Sequence, residues 1–541
     1  MSAFTTLDWI VVAAYFSVLL TIIWWVIRKK QESTKEYFLA GRNLGWFVIG
    51  ASIFASNIGS EHIVGLAGTA AKSGMVMGHY ELHSWIILLL GWVFVPFYMR
   101  SSVFTMPEFL ERRYSPGSRW ILSIISLVGY VLTKVSVTVY AGAVVFQTLM
   151  GIEFWSGALI IVLLTGAYTV IGGLRAVIYT DTLQAIVLII GSLTITITGL
   201  IKIGGWDNLV TSVGADHFNM FLPLDHPEFP WLGMVFAPPI IGIWYWCTDQ
   251  YIVQRVLSAE NELQARRGTI FAGYLKILPI FMFFIPGLIA YAMLKSGQIS
   301  YDSSDQAFPT LVKELLPAGM RGLIAGSLLA ALMSSLSSVF NSCSTLFTID
   351  IYKKLKPDTS EKKLVQIGRI ATSVVVLSGI LWIPFMKTIS GELYTYLQSV
   401  QAYIAPPIAA VFLLGIFWQK INAQGALVAL IGGFSAGLLR LILEINKDSL
   451  SGIWFAIADL NFLYFAIFSF LSCTALMIIV SLFTPQQSSK QLNGLTFSTT
   501  SDQDKEISLS SWDNSDLVHS VVIIAILILI LIYFSPIGIV T

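Results

Sequence analysis

The sequence predicts an all-α protein that crosses a membrane many times, and three observations predict it. Apolar residues make up 56% of the 541 residues and charged residues only 12%, about half the share that is typical of a soluble domain. Apolar runs of about 20 residues, enough to cross a bilayer, recur along the whole chain. The loops between these runs are short. Only a bilayer can solvate so much apolar surface, so a soluble multidomain protein is excluded.

About fourteen segments meet the length criterion for a membrane helix. They cover residues 7–27, 45–71, 78–99, 119–149, 154–172, 176–202, 231–253, 269–295, 318–350, 364–386, 399–419, 424–444, 458–483 and 518–538. The chain then divides into an N-terminal extra helix with its loop, two runs of five spans, and a C-terminal group of three helices: 1–44, 45–202, 231–419 and 424–541. The polar stretch 486–517 precedes the last helix, and its composition predicts a mobile cytoplasmic linker.

Lysine and arginine concentrate in alternate loops, which sets the orientation of the chain. The basic loops lie around residues 28–35, 112–113, 266–267 and 353–363, whereas residues 204–230 carry acids and no Lys or Arg. We therefore expect a multi-pass protein of the cell membrane with both termini outside. The sequence has no Asn-x-Ser/Thr sequon, which favours a bacterial origin.

Charge and cysteine usage exclude other classes of protein. The formal net charge is +1, so we expect no nucleic acid as a partner. The three cysteines all lie in apolar runs and show neither a disulfide pattern nor metal-ligand spacing. No nucleophile motif or phosphate loop is visible, so we expect no enzyme, and we infer no obligate protein partner.

Two of the predicted spans contain residues that interrupt a helix. The second span has Gly59 at its centre, and the seventh has Pro238 and Pro239 followed by Gly242. These two spans each open a run of five, and the runs start from opposite sides of the membrane. Matching broken helices in two opposed halves are typical of inverted-repeat transporters, with the ligand sites at the breaks. The alternative is that Pro and Gly are simply common in membrane helices.

Charged side chains inside membrane segments cost about 2.5–3.5 kcal/mol or more, so they are candidates for function. Asp249 precedes Arg255, which favours a structural ion pair between them. Lys276 can alternatively extend to the membrane interface, and Lys134 has no evident partner. The full set of candidates is Glu61, His62, Glu81, His83, Lys134, Asp181, Asp249 and Lys276.

A cluster of serines marks the ninth span. Ser334, Ser337 and Ser338 share one helical face with Asn341. Neutral hydroxyl oxygens suit Na⁺, a hard cation, although serines also pack membrane helices closely. Aromatic residues 244–246 follow the prolines of the seventh span. An aromatic face beside Glu, His and Lys suits a sugar, which both stacks and accepts hydrogen bonds.

Several motifs together resemble the solute:sodium symporter family, and within it the sodium/glucose and sodium/galactose type. They are FLAGRNLGWFVIGASIFASNIGSEHIVGLAGTAA (38–71), FTMPEFLERRY (104–114), IGGLRAVIYTDTLQ (171–184), IWYWCTDQYIVQR (243–255), GYLKILP (273–279), SSLSSVFNS (334–342) and YLQSVQAYIAPPIAAVFLLGIFW (396–418). The resemblance implies a LeuT-like core of five plus five inverted spans, with one extra helix before it and three after it.

The resemblance also implies two ion sites. The first sodium site falls on backbone of Ala55, Ile58 and Ala331 and on hydroxyls of Ser334 and Ser335. A second site, present in members that move two sodium ions, falls on the residues Asp181, Ser334, Ser337 and Ser338. Because this chain has the complete hydroxyl pair of the second site, we expect two Na⁺ per substrate molecule.

The sugar pocket implied by the resemblance comprises Asn57, His62, Glu81, Ser84, Tyr245, Trp246, Lys276 and Gln398. Its gates are Leu66, Tyr80 and Tyr394 on the outer side and Tyr245 on the inner side. The chain departs from the family pattern at two positions. Gly242 stands where members often have a polar side chain, and Glu61 stands where animal members have Gly.

The expected function is Na⁺-coupled symport of a monosaccharide across the bilayer by alternating access, with Na⁺ as the co-transported ion. Two alternatives stay open. One is a symporter of the same family for another small solute, such as inositol or sialic acid. The other is an uncoupled sugar channel or sensor, which would not need the serine cluster.

Overall fold

The computed structural model describes residues 4–28, 33–59, 61–386 and 393–539. Over these ranges the chain is helical nearly throughout, and we find one isolated β-bridge, between Leu44 and Ala259. Eleven helices in these ranges are long and apolar enough to cross a membrane. They are Thr6–Val26, Gly78–Ser101, Pro116–Met150, Gly173–Ile203, Trp231–Thr248, Glu262–Lys295, Met320–Leu355, Leu397–Phe417, Ala423–Ile445, Phe462–Phe483 and Asn514–Tyr533.

A twelfth span is a bent pair of helices, Trp46–Asn57 and Glu61–Ser73. The two other predicted spans correspond to the short apolar helix Phe154–Ala167 and to the helix Glu361–Met386. The all-α membrane fold is thus confirmed, whereas the total of fourteen spans stays a prediction. Shorter helices connect the spans: Thr34–Leu39, Met106–Arg113, Trp206–Val213, Gln250–Val256, Ala307–Leu315, Gly452–Asp459, Ser489–Leu492 and Asp502–Ser510.

The first predicted helix break is present where the sequence places it. The helix Trp46–Asn57 ends at Ile58, and the chain resumes as a helix at Glu61 after a bend of 58°. The N–H of Gly59 bonds to the carbonyl of Asn57 and so no longer continues the regular helical pattern. We call Trp46–Ser73 the first broken helix.

The second break lies elsewhere than predicted. Pro238 and Pro239 are inside the regular helix Trp231–Gly242, because the fixed φ of proline is compatible with a helix even though two donors are lost. The helix continues with π-helical turns to Thr248 and breaks at Asp249, whose φ and ψ are −79° and 128°. Asp249 then caps the helix Gln250–Val256 through the N–H of Tyr251, at 3.2 Å. We call Trp231–Val256 the second broken helix.

Gly173 divides the long helical run Phe154–Ile203 into the two spans that the sequence predicts. Its φ is +55°, a conformation that favours glycine. A β-carbon at this position would also lie 2.8 Å from the Tyr37 carbonyl oxygen. The second of these spans carries Asp181, and it packs against the helix Met320–Thr345, which we call the serine helix.

The four basic loops meet at one end of the helix bundle. The guanidinium of Arg42 donates to the carbonyl of Val103 at 2.6 Å, and Lys354 forms an ion pair with Glu111 at 2.7 Å. The N–H of Trp46 donates to Gln264 Oε1, beside the fourth loop, at 2.8 Å. The acidic loop 204–230 lies against other connections, where the N–H of Met75 donates to the His217 carbonyl at 2.8 Å. The loops that the charge rule assigns to one side of the membrane are therefore neighbours in space.

The stretch predicted to be a mobile linker is packed instead. Leu492 and Thr496 are buried, and Phe497 stacks on Phe417 with ring centroids 5.1 Å apart. Gln487 accepts a hydrogen bond from the buried Arg113 at 2.9 Å. The polar composition hides these few apolar anchors, which dock the stretch onto the bundle.

Candidate functional site

A buried cavity lies where the two broken helices meet. Its volume is about 40 Å³, which is room for a few water molecules and too little for a hexose. Nearly all its lining side chains are buried, and Tyr245 is partly exposed. The lining residues are Asn57, Glu61, His62, Tyr80, Glu81, His83, Lys134, Ile241, Gly242, Tyr245, Trp246, Lys276, Tyr394, Leu397, Gln398 and Gln401.

A buried ion pair organises one wall of the cavity. The ammonium of Lys276 donates to Glu81 Oε2 at 2.5 Å and to Asn57 Oδ1 at 2.8 Å. Glu81 Oε1 accepts from the Tyr394 hydroxyl at 3.1 Å, and Asn57 Nδ2 donates to the Tyr245 hydroxyl at 3.3 Å. One network of charges, hydroxyls and an amide thereby joins five helical segments around the cavity.

Several polar atoms around this cavity have no hydrogen-bond partner among the described residues. They are His62 Nδ1, Tyr80 Oη, His83 Nε2 and Gln398 Oε1. Buried polar groups are rarely left unpaired, because each costs about 1–3 kcal/mol. A ligand with several hydroxyl groups would satisfy donors and acceptors of this kind.

The structure brings most of the expected sugar-site residues to this cavity but not all of them. Ser84 is buried beside the cavity and does not line it, and its hydroxyl has no partner within the described ranges. Leu66 is also buried outside the lining. The two expected gate residues Tyr80 and Tyr394 pack edge to face, with ring centroids 6.5 Å apart.

Lys134 also lines the cavity, and its partner, which the sequence alone did not reveal, is Asp249. Its ammonium is 3.9 Å from Asp249 Oδ2 and lies over the rings of Tyr245 and Tyr251, 4.0 and 3.9 Å from their centroids. Asp249 also accepts a hydrogen bond from Tyr130. Lys134 therefore holds the second broken helix at its break.

The prediction of an ion pair between Asp249 and Arg255 is wrong. Arg255 pairs instead with Asp181, at 3.4 Å. Arg255 lies within the helix Gln250–Val256 and contacts the serine helix through Ser338, whereas Asp249 lies at the break before that helix and faces Lys134. The N-cap pattern at Asp249 was the sequence signal that could have located the break.

The expected second ion site is a compact cluster around Asp181. Its carboxylate accepts hydrogen bonds from Ser334 at 2.5 Å, Ser52 at 2.7 Å and Ser56 at 3.1 Å. Ser338 donates to the Ser334 carbonyl at 2.7 Å. Ser337 bonds to that carbonyl at 2.9 Å. These residues are brought together, with Ser337 at the margin of the cluster.

The expected first ion site lies between the first broken helix and the serine helix. Ser335 Oγ is 3.5 Å from the carbonyl oxygen of Ser56, one residue after Ala55. Ile58 has non-helical φ and ψ of −80° and 88°. Ala331 and Ser334 are buried on the facing surface of the serine helix. The oxygens that the structure places together here are the Ser335 hydroxyl and the Ser56 carbonyl, which also accepts a hydrogen bond from Tyr251, and neutral oxygens of this kind suit a small monovalent cation.

His83 and Gln401 line the cavity although neither was among the expected binding residues. The ring of His83 occupies the space beside Gly242, where a β-carbon would come within 2.9 Å of it. The small residue at 242 and the histidine at 83 thus form a matched pair. This pairing could not be read from residues so far apart in the sequence.

Two broken helices that meet at a buried cavity of charged and hydroxyl groups define a secondary transporter of the inverted-repeat class. Residues 37–433 match the sodium:solute symporter family. This chain belongs to that family.

The chain is similar to several characterised proteins. It is 39% identical to the sodium/glucose cotransporter 1 of Ovis aries, over 93% of this chain and 82% of the relative. It is 38% identical to the sodium/myo-inositol cotransporter of Homo sapiens, over 91% of this chain and 75% of the relative.

Two solved structures share the fold. One is a substrate-bound, outward-open Na⁺-coupled sialic acid symporter, with a TM-score of 0.77, 22% identity and coverage of 90% of this chain and 99% of that chain. The other is the inward-facing conformation of Mhp1, with a TM-score of 0.51, 15% identity and coverage of 85% and 95%. The LeuT-like expectation for the fold is confirmed by these neighbours.

Proposed function

We propose that this protein is a Na⁺-coupled symporter that takes up a monosaccharide of the glucose and galactose type by alternating access. Sodium is the co-transported ion, and its downhill movement drives the sugar uphill. At about 100 mV each charge that crosses the membrane contributes about 2.3 kcal/mol. A second Na⁺ therefore raises the sugar gradient that can be held by about 50-fold through the voltage alone.

The observation that carries the sugar assignment is the set of unpartnered polar atoms around the cavity. His62, Tyr80, His83 and Gln398 line the cavity and each carries one such atom, and the Lys276–Glu81 pair lines the same cavity. The ring of Trp246 lies 5.4 Å from the Lys276 ammonium and offers an apolar face. A pyranose ring combines hydroxyl groups with an apolar C–H face, so it matches both features.

The observation that supports coupling to Na⁺ is the position of serine hydroxyls next to the interruption in the first broken helix. Ser335 lies 3.5 Å from the Ser56 carbonyl of the first broken helix, and Ser334 donates to Asp181. Oxygen ligands of these kinds suit a hard cation. Binding of Na⁺ there would tie that helix to the serine helix. Because Asn57 and His62 belong to the same broken helix, ion binding and sugar binding share one mobile element, which is the condition for coupling.

myo-Inositol is the second candidate substrate. The relative named for it is nearly as similar to this chain as the one named for glucose, at 38% against 39% identity. Sialic acid fits less well, because no arginine is among the described residues that line the cavity and could pair with its carboxylate.

Uptake by proteoliposomes tests the proposal. Labelled glucose, galactose and myo-inositol are offered separately under an inward Na⁺ gradient, with K⁺ in place of Na⁺ as the control. We expect concentrative uptake of a hexose with Na⁺ alone. Concentrative uptake of inositol without either hexose would move the assignment to the second candidate, and equal uptake with Na⁺ and K⁺ would indicate an uncoupled pore.

The proposal includes the setting of the protein. It acts as a transporter without enzymatic activity and without an obligate protein partner, in the cell membrane, with both termini outside. The bacterial origin expected from the sequence has no support from the two relatives reported above, which are animal proteins. The gathering of the basic loops at one end of the bundle supports the orientation. Protease or cysteine-labelling access to those loops from the cytoplasmic side alone would test it.

A further inference from the structure

Arg255 is a buried arginine beside Asp181, and the proposed symport gives it no role so far. It is buried at 1% exposure on the second broken helix. Its Nη2 lies 3.4 Å from Asp181 Oδ2 and also donates to Ser338, and its Nε donates to Ser52 at 2.9 Å. The guanidinium thus sits among the residues expected to hold the second sodium ion.

The charges at this cluster balance without an ion. Asp181 is fully buried, and Arg255 is the cation that lies within ion-pair distance of it among the described residues. A Na⁺ bound to Asp181 and Ser338 would place a second positive charge against the same carboxylate and hydroxyl. Like charges this close repel strongly in a buried site, so the ion and the arginine contact exclude each other.

Arg255 and Asp181 lie on different helices, so a movement of one helix can exchange the Arg255–Asp181 contact for a bound Na⁺. Arg255 belongs to the short helix after the second break, whereas Asp181 and Ser338 belong to the two helices that pack together behind it. A relative movement of the broken helix would therefore lengthen or shorten the Arg255–Asp181 contact without altering the Asp181–Ser334 hydrogen bond.

We propose that Arg255 is a tethered cation that replaces the second Na⁺ at Asp181 when the ion leaves, and so permits the empty carrier to return. This inference rests on the proposed Na⁺ symport. A symporter must reorient once with its ligands and once without them. A buried carboxylate that lost its ion and gained no partner would oppose the empty step, and Arg255 supplies that partner from within the chain. Arg255 is thus a positioning residue for ion release.

The test compares two transport modes in the same proteoliposomes. Net uptake requires the empty carrier to return, whereas exchange of labelled for unlabelled hexose at saturating Na⁺ on both sides does not. In Arg255→Gln we expect net uptake to fall by about tenfold or more, with exchange within about twofold of wild type. The half-saturating Na⁺ concentration should fall, because the competitor of the ion is gone.

Controls keep the result independent of folding. The ratio of net uptake to exchange does not depend on how much protein is folded. Arg255→Lys, which keeps the charge, should restore much of the ratio. The double variant Arg255→Gln with Asp181→Asn, which leaves no bare charge, should also restore it. Arg266→Gln removes another buried arginine, paired with Glu262 at 2.7 Å, and should leave the ratio unchanged.

Two results would overturn the inference. One is a parallel fall of net uptake and exchange in Arg255→Gln, which would make Arg255 structural. The other is an unchanged or raised half-saturating Na⁺ concentration in that variant. Failure of the symport proposal itself looks different, since the wild-type protein would then show no Na⁺-dependent hexose exchange at all.

Discussion

Replacing Glu81 by Gln separates two roles of this carboxylate, its contribution to stability and its contribution to sugar binding. Glu81 is 1% exposed, pairs with Lys276 at 2.5 Å and accepts from Tyr394 at 3.1 Å. Glutamine keeps its shape and removes its charge. The change therefore leaves the Lys276 ammonium buried with only neutral oxygen partners, among them Asn57 Oδ1.

The expected loss of stability follows from that isolated charge. Breaking a buried ion pair by removing one partner costs about 3–5 kcal/mol, whereas removing both charges is often nearly neutral. The double variant Glu81→Gln with Lys276→Gln should therefore be more stable than either single variant. The coupling energy between the two positions should therefore reach or exceed about 3 kcal/mol in magnitude, the upper end of the range found for residues in contact.

The expected loss of sugar affinity follows a different pattern. A hydrogen bond to a charged group contributes about 1.5–3 kcal/mol, which corresponds to about a 10–150-fold rise in the half-saturating sugar concentration. Because the double variant lacks both charged groups, it should recover stability without recovering affinity. This divergence is what distinguishes a binding residue from a purely structural one.

Thermal unfolding in detergent and the sugar dependence of Na⁺-driven uptake measure the two quantities. Glu262→Gln is the matched control, because Glu262 pairs with Arg266 at 2.7 Å away from the cavity. It should lower stability and leave the half-saturating sugar concentration unchanged. The reasoning would be refuted if Glu81→Gln bound sugar like the wild type, or if the double variant regained affinity together with stability.

Three further variants test other parts of the account. Lys134→Met should slow transport and lower the melting temperature, at a cost of about 3 kcal/mol, and adding Asp249→Asn should recover part of the stability; no recovery would mean that the 3.9 Å pair is not energetically coupled. Gly242→Ala should reduce hexose uptake, because the added β-carbon would lie 2.5 Å from Ile86 Cδ1 and 2.9 Å from the His83 ring and would displace them; wild-type uptake in Gly242→Ala would contradict this. Arg113→Met should lower the melting temperature without changing Na⁺ dependence, because the carbonyls of Gly415, Trp418 and Ile421 each lose a charged donor.

The sequence predicted the class of fold and the first broken helix for physical reasons that hold in the structure. Gly59 and its polar neighbours lie in the middle of a predicted span. The helix ends there, at Asn57, and helical structure resumes at Glu61. The second break was predicted at Pro238 and Pro239, because proline removes a backbone donor, and no weight was given to Asp249 as a capping residue. The helix tolerates Pro238 and breaks at Asp249, where a side chain satisfies the freed N–H.

Contacts between distant residues were beyond sequence reasoning. Lys134 and Asp249 are 115 positions apart, and their pairing depends on how two helices cross. The packing of the polar stretch onto the bundle depends on a few side chains such as Leu492, which composition does not distinguish from a mobile segment. Residues of the sugar cavity came mainly from the resemblance, and their roles stay predictions until binding is measured.

The Na⁺ dependence of hexose uptake in the Ser335→Ala variant tests the central claim most directly. Ser335 is the hydroxyl on the serine helix that faces the carbonyl of Ser56 at the first break, at 3.5 Å. Ser327→Ala, on the same helix with its hydroxyl bonded to the Ile324 carbonyl at 2.7 Å, is the control. We predict Na⁺-driven concentrative uptake in the wild type and in Ser327→Ala, and its loss in Ser335→Ala. Uptake in Ser335→Ala with the wild-type Na⁺ dependence would show that this hydroxyl has no part in coupling to Na⁺.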